Sequence, residues 1–129
     1  MTPELIALAL AALLQIVQIA LYSVAGQVQV GTRTALKPRD QAIELSGKAG
    51  RIKRAMDNHF EGLILFAIAV LVLAVADVSS PLTVLCAWTY LAARILYIPA
   101  YIFGWVPWRS LIWMVGLLAT AVLLLYAVL

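Results

Sequence analysis

The chain alternates between four long apolar segments and three shorter segments that are polar or rich in turn-forming residues. Each apolar segment is long enough to cross a bilayer as a helix, which needs about 20 residues. The segments cover about residues 4–26, 51–76, 81–103 and 107–128. Pro81 and Pro107 stand at the start of the last two, where proline is favoured in the first turn. The pattern predicts an all-α membrane protein with four transmembrane helices.

The connections predict how these helices are arranged. Residues 77–80 and 104–106 form very short connections, so the spans on either side of each are expected to be antiparallel neighbours. The first connection, about residues 31–50, is longer and is interrupted by glycine and proline. We therefore expect one domain over residues 1–129, folded as an up-down bundle.

Composition and charge agree with a membrane protein. Hydrophobic residues make up 65% of the chain and charged residues 12%. A soluble domain of this length could not bury so much apolar surface. Seven of the nine Lys and Arg residues fall between Arg33 and Arg54. By the positive-inside rule this loop is expected in the cytoplasm and both termini outside. The same rule accounts for the basic run without nucleic acid, and we expect no nucleic-acid partner.

The second span begins with a polar face. Arg54, Asn58 and Glu61 follow one another at spacings of four and three, which places them on one side of a helix. Ionisable groups inside a membrane helix are costly and mark candidate functional sites. Asp57 lies at the edge of this face, where it adds a like charge one turn from Glu61. His59 points away from it, and we expect it in an interfacial or subunit contact.

The third span carries a matching face, formed by Arg94, Tyr97 and Tyr101. If the two spans are antiparallel, the faces meet level by level. The predicted pairs are Glu61 with Arg94, Asn58 with Tyr97, and Arg54 with Tyr101. A Glu61–Arg94 pair alone could be a structural link that fixes helix register. The whole set of polar and aromatic groups fits a pocket for a small zwitterionic ligand better.

Arg109 and Ser110 lie in the first turn of the fourth span. A helix N-terminus favours anions, and an arginine there adds a permanent positive charge. The two residues could stabilise a thiolate or a carboxylate, although an arginine at this position could also simply reach lipid phosphate. The single cysteine, Cys86, has no partner for a disulfide. No cluster with metal-ligand spacing is visible, so no metal is expected.

These motifs resemble those of the MAPEG family, the membrane-associated proteins of eicosanoid and glutathione metabolism, in a bacterial-type member. The resemblance rests on Arg51-x-x-Arg54-Ala55-x-x-Asn58-x-x-Glu61, on Arg94-x-x-Tyr97-x-x-x-Tyr101, and on Arg109-Ser110. The spacing from Arg33 to Arg54 is similar to that of the leukotriene C4 synthase branch. Asp57 is a departure from members that have a basic residue before the asparagine, and an extra negative charge there disfavours an anionic ligand.

The resemblance implies a homotrimer in the bacterial inner membrane with glutathione, as co-substrate, bound between neighbouring subunits. It implies that glutathione is bound by Arg54, Asn58, Glu61, Tyr97 and Tyr101, with Arg33 as a further candidate. We add Arg94 to the binding set because it shares the polar face of the third span. Arg109, beside Ser110, would hold the glutathione sulfur as thiolate. Lipophilic electrophiles would reach that thiolate from the bilayer.

Two functions remain open at this stage. The first is a glutathione-dependent transferase or peroxidase acting on lipophilic electrophiles. The second is a non-enzymatic membrane protein that binds a small anion, lipid or protein partner in the same cleft. A transporter is disfavoured because the third span shows no broken helix at its middle.

Overall fold

In the part of the chain that the structure describes, four helices follow one another in an up-down order. The computed structural model describes residues 1–31 and 46–129. The helices are α1 (Pro3–Val30), α2 (Gly47–Val75), α3 (Pro81–Ile102) and α4 (Trp108–Val128). All four are long and apolar enough to cross a membrane. The predicted all-α membrane fold with four spans is therefore confirmed.

The first two helices extend further than the apolar pattern predicts. α1 continues past Gly26 to Val30 and ends at Gly31, whose φ of +85° favours glycine. α2 begins at Gly47, inside the segment expected to be loop. Hydropathy does not detect these extensions, because glutamine, lysine and glycine residues interrupt the apolar pattern there.

The polar ends of α1 and α2 are joined by one side chain. The Ser46 backbone N–H donates to Gln29 Oε1 over 2.9 Å, and Gln29 Nε2 donates to the Ser46 carbonyl over 2.9 Å. The Gln29 amide therefore acts like a peptide group in a β-bridge. It holds the last turn of α1 against the residue before α2.

The turns on either side of α3 are held by hydrogen bonds, one set within the turn and one from α2. At its start, the Thr83 N–H donates to Ser80 Oγ and the Ser80 N–H donates to Thr83 Oγ1, a reciprocal capping box. At its end, Arg51 Nη1 donates to the Ile102 carbonyl over 3.1 Å. Gly104 then takes a φ of +67°, which lets the chain turn directly into α4.

The seam between α2 and α3 forms the centre of the bundle. α2 and α3 contact each other, and each also contacts both α1 and α4. Within the described residues, α1 and α4 make no contact with one another. Side chains that lie between α2 and α3 are therefore the ones that can contact both α1 and α4.

The core of this seam is built from small residues around one aromatic pair. The rings of Phe66 on α2 and Tyr90 on α3 stack at a centroid distance of 4.0 Å. Buried alanines surround the pair and allow the backbones to approach closely, as is typical of membrane helices. They include Ala7, Ala11, Ala69 and Ala87.

Two glutamines join α1 to the seam. Gln15 Nε2 donates to the Met56 carbonyl over 3.4 Å, and Gln18 Nε2 donates to Gln15 Oε1 over 3.2 Å. Both side chains are buried. Lipid offers an amide side chain no hydrogen-bond partner, so burial inside the bundle satisfies these amides better than the lipid-facing surface would.

Glu4, near the start of α1, is buried at the end of the bundle opposite to the α1–α2 connection. Its two carboxylate oxygens accept hydrogen bonds from Ser79 Oγ and Thr83 Oγ1, each over 3.1 Å. A buried carboxylate is costly unless its oxygens are hydrogen-bonded. These bonds attach the first turn of α1 to the α2–α3 turn.

Candidate functional site

Tyr101 on α3 contacts two arginines, one from α2 and one from α4. Arg54 Nε donates to the Tyr101 hydroxyl oxygen over 3.0 Å. The guanidinium carbons of Arg54 and Arg109 lie 6.0 Å and 5.2 Å from the centroid of the Tyr101 ring. Both distances are within the range of cation–π attraction. The predicted pairing of Arg54 with Tyr101 is confirmed, and three helices meet at this ring.

A cleft of about 240 Å³ opens beside Tyr101. We call this end of the molecule, where Arg54 and Arg109 lie, the basic end. The cleft is lined by Asn58, Tyr97, Tyr101, Arg109, Ser110 and Trp113. These residues supply amide, hydroxyl and guanidinium donors beside aromatic faces, and the lining contains no carboxylate. The cleft therefore suits a ligand that carries oxygen acceptors or negative charge.

Arg94 lies behind the cleft wall, in the seam. Its Nη1 donates to Asn58 Oδ1 over 2.9 Å, and its Nε donates to His59 Nδ1 over 3.1 Å. Its guanidinium carbon also lies 4.4 Å from the centroid of the Tyr97 ring. Only 4% of the residue is exposed. Arg94 therefore contacts two residues of the cleft wall from behind and does not itself line the cleft.

His59 completes this network and corrects our expectation for it. The residue is 0% exposed, and its Nε2 lies 2.9 Å from the Ala11 carbonyl of α1. A carbonyl only accepts, so Nε2 carries the proton and Nδ1 accepts from Arg94. The predicted interfacial or subunit-contact role is wrong. The small side chain of Ala11 leaves room for the ring, and α1 covers the side of α2 that faces away from the cleft.

The network orients the amide of Asn58. Because Oδ1 accepts from Arg94, the amide nitrogen is the end left to act as a donor. Asn58 also lines the cleft. The arrangement thus offers an N–H donor to an oxygen of a bound ligand. Asn58 and Tyr97, which were predicted to be paired, lie on the same cleft and are both held by Arg94.

The predicted Glu61–Arg94 ion pair is wrong. Glu61 is exposed, and it makes no ion pair or side-chain hydrogen bond to another described residue. The long Arg94 side chain reaches toward the basic end, which brings its guanidinium level with Asn58, one turn from Glu61. The carboxylate of Glu61 therefore stays available on the outer surface of α2.

Asp57 is neutralised by a neighbour on its own helix. Lys53 Nζ lies 2.8 Å from Asp57 Oδ2, at the i,i+4 spacing that favours such pairs. Asp57 was expected to oppose an anionic ligand, but Lys53 had not been considered. The pairing offsets that negative charge, and it also reduces the expected repulsion between Asp57 and Glu61.

Arg109 and Ser110 occupy the first turn of α4, as the sequence predicts, and both line the cleft. The Arg109 guanidinium is placed over the Tyr101 ring. Arg33, the remaining predicted site residue, lies outside the described residues. Within residues 1–31 and 46–129, no group of three His, Cys, Asp or Glu side chains is arranged to hold a metal ion.

A comparison with models of protein families identifies the family of this chain. The MAPEG family model matches residues 5–129, which is nearly the whole sequence and includes every site residue discussed above. The chain belongs to the MAPEG family. This family includes glutathione transferases and related enzymes. The comparisons with curated proteins and with solved structures gave no match.

This MAPEG chain has functional groups in its site that sequence reasoning missed. Lys53 could have been found, because its spacing from Asp57 is the standard helical ion-pair spacing. The role of His59 could not, because a single helix does not reveal which neighbour covers its other side. The contacts made by Arg94 depend in the same way on the relative height of α2 and α3.

Proposed function

We propose that the protein is a glutathione-dependent membrane transferase or peroxidase. It binds glutathione in the cleft and holds the thiol as a thiolate for reaction with lipophilic electrophiles. The observation that carries this proposal is that both Arg54 and Arg109 contact Tyr101, at a donor-lined cleft in a MAPEG chain. Metal chemistry plays no part in the proposal.

The charges of glutathione match the side chains around the cleft. Its two carboxylates need cations, for which Arg54 and Arg33 are the candidates, and its ammonium group needs a carboxylate, for which Glu61 is exposed. The free amide nitrogen of Asn58 would donate to a peptide carbonyl. Tyr97 and Tyr101 would contribute hydroxyl groups and ring faces. Arg94 would act indirectly, by holding Asn58 and Tyr97.

Arg109 would supply the chemical step. A thiol must lose its proton to become a good nucleophile, and a nearby permanent positive charge favours the thiolate. Arg109 provides that charge in the first turn of α4, with the Ser110 hydroxyl beside it as a further donor. The thiolate sulfur then forms a bond to an electrophilic carbon, and the electron pair leaves with the displaced group. In the peroxidase variant, the sulfur attacks a hydroperoxide oxygen and becomes a sulfenic acid, while the O–O bond breaks and the alkoxide takes a proton and departs as an alcohol. A second glutathione thiol then converts the sulfenic acid to glutathione disulfide and water.

The lipophilic substrate would approach from the bilayer. A second groove of about 200 Å³ lies between α3 and α4 and is lined almost entirely by apolar side chains. It is bordered by Thr89, Ala92, Ala93, Leu96, Ile112 and Val115. Its position on the same two helices that carry Tyr101 and Arg109 fits delivery of an apolar molecule toward the thiolate.

Assembly as a homotrimer is part of the proposal. Arg54 and Glu61 are exposed on the outer surface of one chain, although both are proposed to hold a charged ligand. A second copy packed against this surface would enclose the ligand between subunits. The positive-inside rule places the basic end, and hence glutathione, on the cytoplasmic side.

The proposal is tested by an ultraviolet difference titration of the detergent-purified protein with glutathione near neutral pH. A saturable thiolate absorbance is expected for the wild type and for Lys48→Met. The control removes one positive charge from the basic end, at a side chain that packs over Phe103 and not in the cleft. The Arg109→Ala variant should lose the thiolate signal while it still binds glutathione.

Two outcomes would contradict the proposal. Absence of both thiolate and binding heat in the wild type would favour the non-enzymatic reading, in which the cleft binds a small anion, lipid or protein partner. Equal glutathione binding by the wild type, Arg54→Ala and Glu61→Gln would remove the residues assigned here as ligand contacts.

A further inference from the structure

A second, smaller cavity lies further from the basic end than the cleft. Its volume is about 30 Å³, and we call it the inner cavity. It lies between α2, α3 and α4 and is lined by Gly62, Leu65, Tyr90, Arg94, Trp113, Gly116, Leu117 and Thr120. A cavity needs roughly 10–15 Å³ of such space to hold one water molecule. The inner cavity therefore has room for one small molecule or ion.

Two hydrogen-bond donors on its wall have no partner. Arg94 Nη2 and the Tyr90 hydroxyl are both buried, and neither makes a hydrogen bond within the described residues. The two residues are only 4% and 2% exposed. Buried polar groups in native proteins are almost always hydrogen-bonded, to protein or to a bound molecule. Two unpaired donors on one small cavity indicate a bound molecule or ion that accepts hydrogen bonds.

The charge of Arg94 indicates whether the bound species is neutral or negatively charged. Its contacts in the described structure are the oxygen of Asn58, the neutral imidazole of His59 and the ring of Tyr97. None of these is ionised, and the exposed carboxylate of Glu61 is not bonded to it. A buried guanidinium without a counter-charge is costly inside a membrane bundle. A water molecule would pair the donors, but it would leave the charge uncompensated.

We propose that the inner cavity binds one monovalent anion of about the size of a halide ion, between Arg94 Nη2 and the Tyr90 hydroxyl. Such an anion accepts a hydrogen bond from each donor and neutralises the guanidinium. The Thr120 hydroxyl donates instead to the Gly116 carbonyl over 3.0 Å, so it is not a third donor. The proposal does not depend on glutathione and concerns a different space from the cleft.

Two glycines keep this space open. A Cβ at Gly62 would lie 3.1 Å from the Tyr90 hydroxyl, which would force that donor to move. A Cβ at Gly116 would meet Ala93 and Tyr90 only at 3.7–3.8 Å, an ordinary packing distance. Gly116→Ala therefore narrows the inner cavity without a clash, which makes it a useful test variant.

The test uses the full-length protein in detergent without glutathione. Thermal unfolding is followed while chloride or bromide replaces gluconate at constant ionic strength. A saturable, halide-specific rise in Tm is expected for the wild type. Tyr90→Phe keeps the ring stacked on Phe66 but removes one donor to an ion, which should weaken halide binding about tenfold. The exposed Tyr126→Phe serves as the matched control and should behave like the wild type.

Crystals grown in bromide give an independent measure. An anomalous bromine peak is expected in the inner cavity, within hydrogen-bonding distance of both donors, and it should be weaker in Gly116→Ala. Equal Tm in halide and gluconate, or water density without a bromine signal, overturns the proposal. If Tyr90→Phe does not fold, Gly116→Ala carries the test, because halide stabilisation unaffected by it would place the ion elsewhere.

Discussion

Arg94 Nε donates a hydrogen bond to His59 Nδ1 over 3.1 Å, at the point where α1, α2 and α3 meet. The other imidazole nitrogen bonds the Ala11 carbonyl of α1. One ring thus fixes an arginine from α3 against the backbone of α1. Since the same arginine holds Asn58, the position of a cleft residue depends on a histidine that does not touch the cleft.

Replacing His59 with leucine should destabilise the bundle. The change leaves the charged donor Arg94 Nε without its acceptor and removes the hydrogen bond from the ring to the Ala11 carbonyl. Loss of the partner of a buried charged group costs about 2–4 kcal/mol. The measurement is the free energy of unfolding in detergent, from denaturant titration. Phe60→Leu, at the exposed neighbouring position, should change it by about 0.5 kcal/mol or less. Equal stability of the two variants would show that the buried network contributes nothing.

The Arg54–Tyr101 hydrogen bond should appear as a coupling between the two residues. We expect Arg54→Met and Tyr101→Phe to be non-additive in unfolding free energy by about 0.5–1 kcal/mol, because Arg54 is exposed and solvent weakens the interaction. For glutathione affinity, Arg54→Met should have the larger effect, since it also removes a charge. A double-mutant cycle with calorimetric binding measures both. Strict additivity would mean that the bond is not formed in solution.

Removing Lys53 should expose the charge of Asp57. In Lys53→Met the Asp57 carboxylate loses its partner at 2.8 Å and then opposes an anionic ligand. We expect weaker glutathione binding, which high salt partly restores, and a change in unfolding free energy below about 1 kcal/mol, as for other partly exposed pairs. Adding Asp57→Asn to the same variant should restore binding at low salt. Persistent weakness in the double variant would contradict this electrostatic explanation.

The turn between α3 and α4 should be sensitive to a side chain at Gly104. Its φ of +67° is disfavoured for other residues by about 1–2 kcal/mol, and a Cβ there would lie 3.5 Å from Arg51 Nη1. Gly104→Ala is expected to lower the unfolding free energy by about that amount. Gly104→Asn should cost less, since asparagine tolerates this conformation better. The reverse order of the two variants would rule out backbone strain as the cause.

The sequence predicted the fold well because its strongest signals are local. Each span is read from its own apolar length, and the starts of α3 and α4 from proline. The polar beginning of α2 at Gly47 was missed, since hydropathy does not distinguish a polar helix from a loop.

The site was predictable only as far as helical spacing reaches. Arg54 and Tyr101 were matched correctly, because one face of α2 meets one face of α3. The contacts of Arg94 were not, since a long flexible side chain can shift its charge by a turn. His59 was misplaced because its partner lies on α1, whose rotation and height no pattern in α2 encodes.

The hydrogen bonds between helices are distributed unevenly, and this has a consequence for access from the bilayer. α1 is tied to its neighbours at Glu4, at Ala11 and at Gln15, and sliding it would break all of these bonds. Among the described residues, no side chain of α4 is hydrogen-bonded to another helix. Moving α4 away from α3 would break no such hydrogen bond, but it would lose extensive packing against α3 and the contact of Arg109 with Tyr101. A lipid-soluble molecule that enters the apolar groove beside α4 therefore competes with side-chain packing and with that contact, and not with hydrogen bonds between helices.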